Sequence, residues 1–506
     1  MEIELKLSVP PAAIEALGAD PLLTGVHAKR KARKRLDNIY FDTPDHALAQ
    51  ARIGLRLRKD GRRWLQTVKS GGSAQAGLHQ RQEIECAVSG KALEWAPLVG
   101  TEFEAVLGPV WQQLAPQFRT LFSRDIWRLA GPAGADIEVA IDQGEIIAGK
   151  NREAICELEL ELKSGAADDL FAIALALADR HPLLLDNRSK AERGNALARG
   201  LPRTSAAKAV DIALPKGADA KAAVRLAIEN CLLQWQANEP GFHAQASGNA
   251  TDYDSEYLHQ LRVAIRRLRV ATAAFARAGD WQTEALAELK IPLSKLGQQL
   301  GAARDWDVFI METWPLLLDQ LDPLEDLALR VALQEEINLQ RALAHVSARA
   351  ALRHREAQRV LLTLGRCLLH DASTPAGKKA DSFAGLNHLL DDYQSQMAAG
   401  LDKLHKLQPE ALHGLRILAK KMRYLTEFTA SRYDPEAVAA WLQWLKKAQD
   451  VLGSRNDRTT AMARIDSLCK AIAKRHGKVR RTLHAALEVH AVPELHLAPL
   501  PIPYWR

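Results

Sequence analysis

Met1-Glu2-Ile3-Glu4-Leu5-Lys6 is the stretch on which the reading of the first half of the chain turns. A strand sends successive side chains to opposite faces, so Glu2, Glu4 and Lys6 share one face while Ile3 and Leu5 share the other. An ordinary half-buried strand turns such a charged face to water. Cys156-Glu157-Leu158-Glu159-Leu160-Glu161-Leu162-Lys163 has the same alternation, and Arg56-Leu57-Arg58 and Glu83-Ile84-Glu85 add shorter pieces of both signs. Acids on some strands and bases on others suit a sheet closed so that its charged faces converge. In such a lumen, carboxylates opposite guanidinium and ammonium groups can hold a divalent metal and a polyanion together.

A chain of 506 residues exceeds the size at which one core keeps growing, so two or three domains are expected. The hydrophobic fraction of 47% and charged fraction of 25% are those of a globular protein. The five cysteines are scattered and odd in number, with no C-x-x-C pair, which argues against a disulfide framework or a zinc site. No basic segment followed by an apolar core opens the chain, and no apolar run approaches membrane length; a cytoplasmic location is expected. Residues 1–203 hold 28 Lys and Arg against 27 Asp and Glu, and the remainder holds 40 against 34. The basic excess therefore sits in the second part, as it would for a polyanion-binding region.

Up to about residue 203 the pattern is short alternating segments separated by Gly, Pro, Asn and Asp, with helical stretches at Pro10–Leu17 and Ala166–Arg180. That predicts a β-rich α+β domain over 1–203. A linker is expected over 204–215. From 216 to 495 helical periodicity dominates and strand-like alternation disappears, predicting an all-α domain, with a tail at 496–506. His259-Gln260-Leu261-Arg262-Val263-Ala264-Ile265-Arg266-Arg267-Leu268-Arg269 is matched by His413-Gly414-Leu415-Arg416-Ile417-Leu418-Ala419-Lys420-Lys421-Met422-Arg423. Leu300-Gly301-Ala302-Ala303-Arg304-Asp305 is matched by Leu452-Gly453-Ser454-Arg455-Asn456-Asp457 at nearly the same offset. Duplication of a helical unit follows, with two bundles at about 216–372 and 373–495.

On a helix His259, Arg262, Arg266 and Arg269 line one face, as do His413, Arg416, Lys420 and Arg423. Leu261, Ala264, Ile265 and Leu268 form the opposing apolar stripe. Such basic stripes are commonly solvated faces paired with acids such as Asp305 and Asp457. Two related stripes facing one groove would instead ligate phosphate. The pattern resembles the CHAD family of α-helical domains, which has a His-x-x-Arg helix followed by a Leu-Gly-x-x-Arg/Asn-Asp turn. That resemblance implies binding of long-chain inorganic polyphosphate rather than catalysis.

Glu2-x-Glu4-x-Lys6 resembles the signature of the CYTH superfamily, the triphosphate tunnel metalloenzymes. The Asp37–Pro44, Gly54–Arg58, Thr67–Lys69, Gly77–Glu83, Glu157–Lys163 and Ser189–Gly194 segments follow in family order. The resemblance implies an eight-stranded antiparallel barrel with its site inside a tunnel, and the CYTH-then-CHAD arrangement is similar to that of bacterial inorganic triphosphatases. Hard Mg²⁺ or Mn²⁺ takes oxygen ligands, so Glu2, Glu4, Glu157 and Glu159 are candidate metal carboxylates, with Glu161 and Asp142 in reserve. Lys6, Arg56, Arg58, Lys69, Arg81, Arg128 and Lys190 are the candidate phosphate ligands. Aligning Phe122–Arg128 with a family segment leaves Arg124 as the alternative to Arg128. Likeness to thiamine-triphosphatase members implies Tyr40 and Lys69 as a proton-transfer pair, although a tyrosine before Phe-Asp is more often a packed strand aromatic.

The expectation is a metal-dependent inorganic triphosphatase that cleaves tripolyphosphate to pyrophosphate and phosphate, with a C-terminal module that binds polyphosphate and an association with polyphosphate granules. The rivals are hydrolysis of nucleoside or thiamine triphosphate, adenylate cyclisation, or a non-catalytic polyphosphate cage. Gly71–Gly77 lacks the Gly-Lys-Ser/Thr ending of a P-loop and reads as a hairpin. Arg30–Arg35 reads as a basic loop or strand edge. Nucleic-acid binding is a lesser alternative, because neither stripe is interleaved with stacking aromatics.

Overall fold

A computed structural model describes residues 1–25, 28–200, 205–245, 253–278, 283–319, 321, 327–372, 383–471, 476–489 and 496–506. They form two compact units. One is Met1–Ser205 together with the helix Arg355–Ala372; the other is Ala206–Leu352 with the chain that follows that helix. The expected first bundle therefore loses its last helix to the N-terminal unit.

The N-terminal unit is built on a curled antiparallel sheet of β1 (Glu2–Ser8), β2 (Ala28–Asp42), β3 (Gly54–Asp60), β4 (Arg63–Lys69), β5 (Ser73–Gln75), β6 (Leu78–Arg81), β7 (Glu83–Val88), β8 (Ala115–Ala130), β9 (Asp136–Ala148), β10 (Asn151–Ser164) and β11 (Leu184–Leu185). Its ladder runs β5-β6-β1-β10-β9-β8-β2-β3-β4-β7, with β11 added on β1. Eight strands were expected and eleven are present among the described residues. The difference lies in a broken strand and two short additions. β6 pairs with β1 and β7 pairs with β4, and only Gln82 separates β6 from β7. Counted as one interrupted strand, β6 and β7 carry the chain round from one end of the ladder to the other.

This curl puts the charged face inside. On the convex side Leu5, Leu7, Leu158 and Leu160 are fully buried, in a core with Leu170, Phe171, Ile173, Ala174 and Leu177 of the helix Asp168–Ala178. Asp168 and Asp169 in the first turn of that helix suit its positive end. Leu48, Leu55, Val68, Leu98, Phe103 and Leu107 make a second covered patch. With the apolar residues covered from outside, Glu2, Glu4 and Lys6 face the concavity. The basic run Arg30–Arg35 lies on β2 with every basic side chain exposed, where charge blocks edge-to-edge pairing.

The helix Lys190–Arg199 closes part of the concavity. Ser189 Oγ accepts from the Glu192 amide at 3.1 Å, and the Glu192 carboxylate accepts from the Ser189 amide at 2.7 Å. This capping box fixes the helix start and with it Lys190 in the first helical position. Gly194 lies directly on the Phe118 ring, where any Cβ would collide.

In the helical unit the stripes fall on Glu256–Ala278 and Pro409–Thr429. Leu261, Ala264, Ile265 and Leu268 are fully buried, as is Ala419, and Leu415, Leu418 and Met422 are nearly so. The expected Leu-Gly turns are helical instead, within Lys290–Val308 and Pro435–Ala471. Their glycines explain the motif. A Cβ on Gly301 would collide with Arg262 Nη1 at 2.6 Å, whereas one on Gly453 would make only ordinary contact with Arg416 Nε at 3.5 Å, so both glycines lie beside their stripe arginine but only the first is required to be bare. The side chains of 454–457, including Asp457, lie outside the described residues. The linker is an extended strap: Ala207 exchanges two hydrogen bonds with Asn238, and the Leu214 amide donates to Ser431 Oγ. The tail docks on the second bundle, where Trp441 and Trp444 donate to the Ile502 and Ala498 carbonyls and Tyr504 and Trp505 are buried. Among the described residues no helix is long and apolar enough to cross a membrane, and all five cysteines are free thiols.

Candidate active site

The concavity encloses a cavity of about 370 Å³ lined by nine lysines and arginines and eight glutamates. The strand register explains the assembly: Glu4 lies opposite Glu161 and Lys6 opposite Glu159 on β10, while on β6 Glu2 lies opposite Arg81 and Glu4 opposite His79. Lys69 Nζ donates to both oxygens of Glu2 at 2.7 Å and lies 3.3 Å from Glu83. Arg81 lies 3.2 Å from Glu4. Arg58 donates to Asn38 Oδ1 at 2.9 Å and stands 3.8 Å from Glu85.

At the inner end Asp142, Glu157 and Glu159 bring carboxylate oxygens within 4.8 Å of one another. Lys190 Nζ sits among them at 2.8, 2.6 and 2.7 Å. Burial opposes the Lys190 charge, but the three carboxylates outweigh it and hold the ammonium well above its ordinary range. Lys6 adds a contact to Glu157 at 3.1 Å and donates to the Arg188 carbonyl at 2.6 Å. Arg193 binds Glu157, and Arg124 binds both Asp142 and Glu159. Burial works against the Glu159 charge, yet Lys190 and Arg124 hold its carboxyl well below the usual range.

The sequence expectation put Glu157 and Asp142 among metal ligands. Both are completely buried and absent from the cavity lining; with Glu159 they make the one carboxylate trio among the described residues close enough to share a metal, and in this structure Lys190, Lys6, Arg124 and Arg193 pair with it. Glu2, Glu4, Glu159 and Glu161 line the cavity, with Glu138 beside them. Glu161 pairs with Lys163 at 2.5 Å; burial raises its carboxyl, Lys163 lowers it, and the Glu2 and Glu138 charges leave the net direction upward. Carboxylates that line one enclosed space are the donor chemistry of a hard divalent cation. Glu2, Glu4 and Glu161, of which Glu4 and Glu161 lie opposite each other in the β1–β10 register, are the lining carboxylates that would hold it, once Lys69 and Lys163 release Glu2 and Glu161. Glu138 was missed, although Asp136, Glu138 and Asp142 fall on one face of β9 in the alternation.

Among the phosphate candidates, Lys6, Arg56, Arg58, Lys69, Arg81 and Lys190 all line the cavity. Arg128 does not. Its guanidinium grips Asp136 through two hydrogen bonds of 2.6 Å and lies 3.7 Å from Glu138. Arg124, four residues earlier on the same face of β8, takes the lining position. Tyr40 stacks on Phe118 with centroids 4.5 Å apart and accepts from Arg56 at 3.5 Å. Burial raises its phenol, but Arg56 leads a group of cations that brings the net direction down. Lys69 is engaged by Glu2 and Glu83, and it lines the same cavity as Tyr40.

His79, within the Gly77–Glu83 segment, is a buried cavity residue. Its Nδ1 faces Arg81 Nη2 at 2.6 Å. Burial, then the Arg81 charge, push the imidazole from 6.5 down to about 4. Below pH 6.5 the unfolded chain binds a proton that the folded chain refuses, so stability falls as pH drops from about 6.5 toward 4. The full loss is about 3 kcal/mol. Urea denaturation of wild type and His79→Gln between pH 7 and 4 checks this: the variant should lose that slope.

The helical unit carries a groove of about 1420 Å³ lined by ten lysines and arginines, His259 and His413, with Asp305 and Glu312 as its acids. His259, Arg262, Arg266 and Arg269 from one stripe, and His413, Arg416 and Lys420 from the other, all line it. Arg423 is the exception. It pairs with Glu427 one turn further along at 2.7 Å and leaves the lining to Lys421. Asp305 lies 3.3 Å from Arg262 and 3.5 Å from Arg464. Burial and the neighbouring Arg304 charge push His259 down.

Residues 1–194 match the model of the CYTH domain, and residues 226–466 match that of the CHAD domain. An inorganic triphosphatase of Haemophilus influenzae is 36% identical over 195 residues, 38% of this chain and 54% of that protein. The match thus spans about half the length of that relative. An uncharacterized protein of Mycobacterium tuberculosis is 26% identical over 499 residues, covering 90% of this chain and 86% of that one. Among solved structures, the CHAD domain from the plant Ricinus communis is 26% identical, covers 58% of this chain and 99% of that chain, and superposes with a TM-score of 0.44.

Proposed function

Since the chain carries a CYTH domain over residues 1–194 and a CHAD domain over residues 226–466, we infer that it is a metal-dependent triphosphatase acting on inorganic tripolyphosphate. The observation that carries this is the cavity's charge: nine cations against eight carboxylates in one enclosed space. A bare polyanion would meet as much repulsion as attraction there. A triphosphate with a divalent metal presents both signs, with anionic oxygens for the arginines and a cation for the carboxylates.

Glu2, Glu4 and Glu161 would hold Mg²⁺ or Mn²⁺, which would supply neutralising charge and a bound water of lowered pKa. Arg56, Arg58, Arg81 and Arg124 present planar forks to phosphate oxygens, and Lys6 and Lys69 present point charges. Each stabilises charge as it develops on the transferring and leaving groups. No covalent intermediate on the protein is required, and the 1:1 products are pyrophosphate and phosphate. A panel of tripolyphosphate, ATP and thiamine triphosphate with each metal tests the assignment. Tripolyphosphate should give the highest kcat/KM, and preference for an organic triphosphate would contradict it.

The CHAD groove suits a different ligand. Ten cations against two acids favour a polyanion without accompanying metal, and long-chain inorganic polyphosphate is the ligand we assign to it. Binding should weaken steeply with salt. Arg262→Glu with Lys420→Glu should lower polyphosphate affinity by about 100-fold, near 1.4 kcal/mol for each tenfold, and leave tripolyphosphate turnover unchanged. Equal affinity in the double variant would refute the assignment.

A further inference from the structure

The helix Arg355–Ala372 lies inside the sequence matched to the CHAD domain, yet it packs as part of the N-terminal unit. Leu362 is completely buried in the core that holds Leu5, Leu7 and Phe171. Arg366 grips Asp168 through two hydrogen bonds of 2.7 Å, and Arg359 pairs with Asp179. These contacts anchor the helix on Asp168–Ala178. Two others reach toward the cavity.

First, Gln358, 2% exposed, accepts from the Leu185 amide at 2.9 Å. Leu185 belongs to β11, which pairs with Leu7 of β1, and the chain then runs to Arg188, whose carbonyl accepts from Lys6 Nζ at 2.6 Å. Second, Gly365 lies against Ala76: a Cβ there would stand 2.5 Å from Ala76 Cβ and 2.8 Å from the Phe171 ring. Ala76 is fully buried with φ of 49°, in the left-handed region that a non-glycine residue occupies only when its surroundings hold it there. The next residue, Gly77, accepts from the Lys6 amide at 2.9 Å, and its own amide donates to Asn187 at 2.8 Å. Both segments that fix Lys6, the Ala76–Gly77 corner and the Leu184–Arg188 stretch, are thus backed by one helix.

The geometry points to Gln358 and Gly365 as positioning residues for the cavity: they hold in place the two segments that orient Lys6. This rests on the triphosphatase assignment for its catalytic consequence, but not for its structural one. Gln358 and Lys6 are far apart in the chain, and neither Gln358 nor Gly365 lines the cavity.

The test uses the full chain carrying Gln358→Ala or the more disruptive Gly365→Leu, with Arg359→Ala as the control that loosens only the surface pair. Amide exchange at Lys6 should accelerate about tenfold in both test variants, while Leu57 and Val68 on β3 and β4 keep wild-type rates. Tripolyphosphate kcat should fall on the order of 10- to 100-fold, as small misplacements of a ligating group do. Arg359→Ala should match wild type in both readouts. Unchanged exchange at Lys6, or acceleration in all strands alike, would overturn the positioning role. Exchange needs no turnover, so a wild-type chain that fails to cleave tripolyphosphate would count against the triphosphatase assignment alone and leave this result readable.

Discussion

Lys190→Met should destabilise the N-terminal unit by about 3 kcal/mol, at the lower end of what breaking a buried ion pair costs. The wild-type ammonium touches Asp142, Glu157 and Glu159 at once, and the first two carboxylates are completely buried. Methionine fills similar volume but leaves that charge behind. The loss is held down because Arg124 still reaches Asp142 and Glu159, while Lys6 and Arg193 still reach Glu157. With the ammonium gone, three carboxylates within 4.8 Å become a site for a divalent ion, so Mg²⁺ should restore more stability to the variant than it adds to wild type. Urea denaturation with and without Mg²⁺ reads both effects. A midpoint indistinguishable from wild type would mean that the cluster carries a proton rather than three charges.

Glu4→Gln should lower tripolyphosphate turnover on the order of 100- to 1000-fold at a metal concentration that saturates wild type, as loss of a charge-stabilising group at a reacting centre does. Glu4 lies opposite Glu161 in the β1–β10 register, faces the cavity and has Arg81 at 3.2 Å. The amide keeps the shape but loses the charge that a divalent cation needs. Excess metal should recover part of the rate, because the deficit is one of affinity as well as geometry. Steady-state rates over a metal titration check this. A variant with wild-type kcat and wild-type metal dependence would remove Glu4 from the site.

Much of this was legible in the strands because period-two alternation reports which face a side chain takes. Glu2, Glu4, Lys6, Arg56, Arg58 and Lys69 all reach the cavity that their alternation anticipated. Alternation does not report depth. Arg124 and Arg128 share a face of β8, and only the register across β9, with Arg124 opposite Asp142 and Arg128 opposite Glu138, separates the cavity position from the rim. Depth likewise divides β10, where Glu157 is sealed among cations while Glu159 and Glu161 line the cavity. On the helices, spacing placed Arg423 on the stripe, but a glutamate one turn ahead draws it aside. The support from Gln358 and Gly365 was invisible because it joins residues remote in sequence, and nothing in the local pattern of Arg355–Ala372 distinguishes it from a bundle helix.

Cleavage of a metal-bound triphosphate in the balanced cavity of the N-terminal unit leaves a product signature. The direct measurement is the stoichiometry of products from tripolyphosphate incubated with the full chain, with Mg²⁺ or Mn²⁺ and with chelator. Equal amounts of pyrophosphate and phosphate, formed only when metal is present, are the expected result; turnover that persists in chelator, or no turnover with either metal, would contradict it.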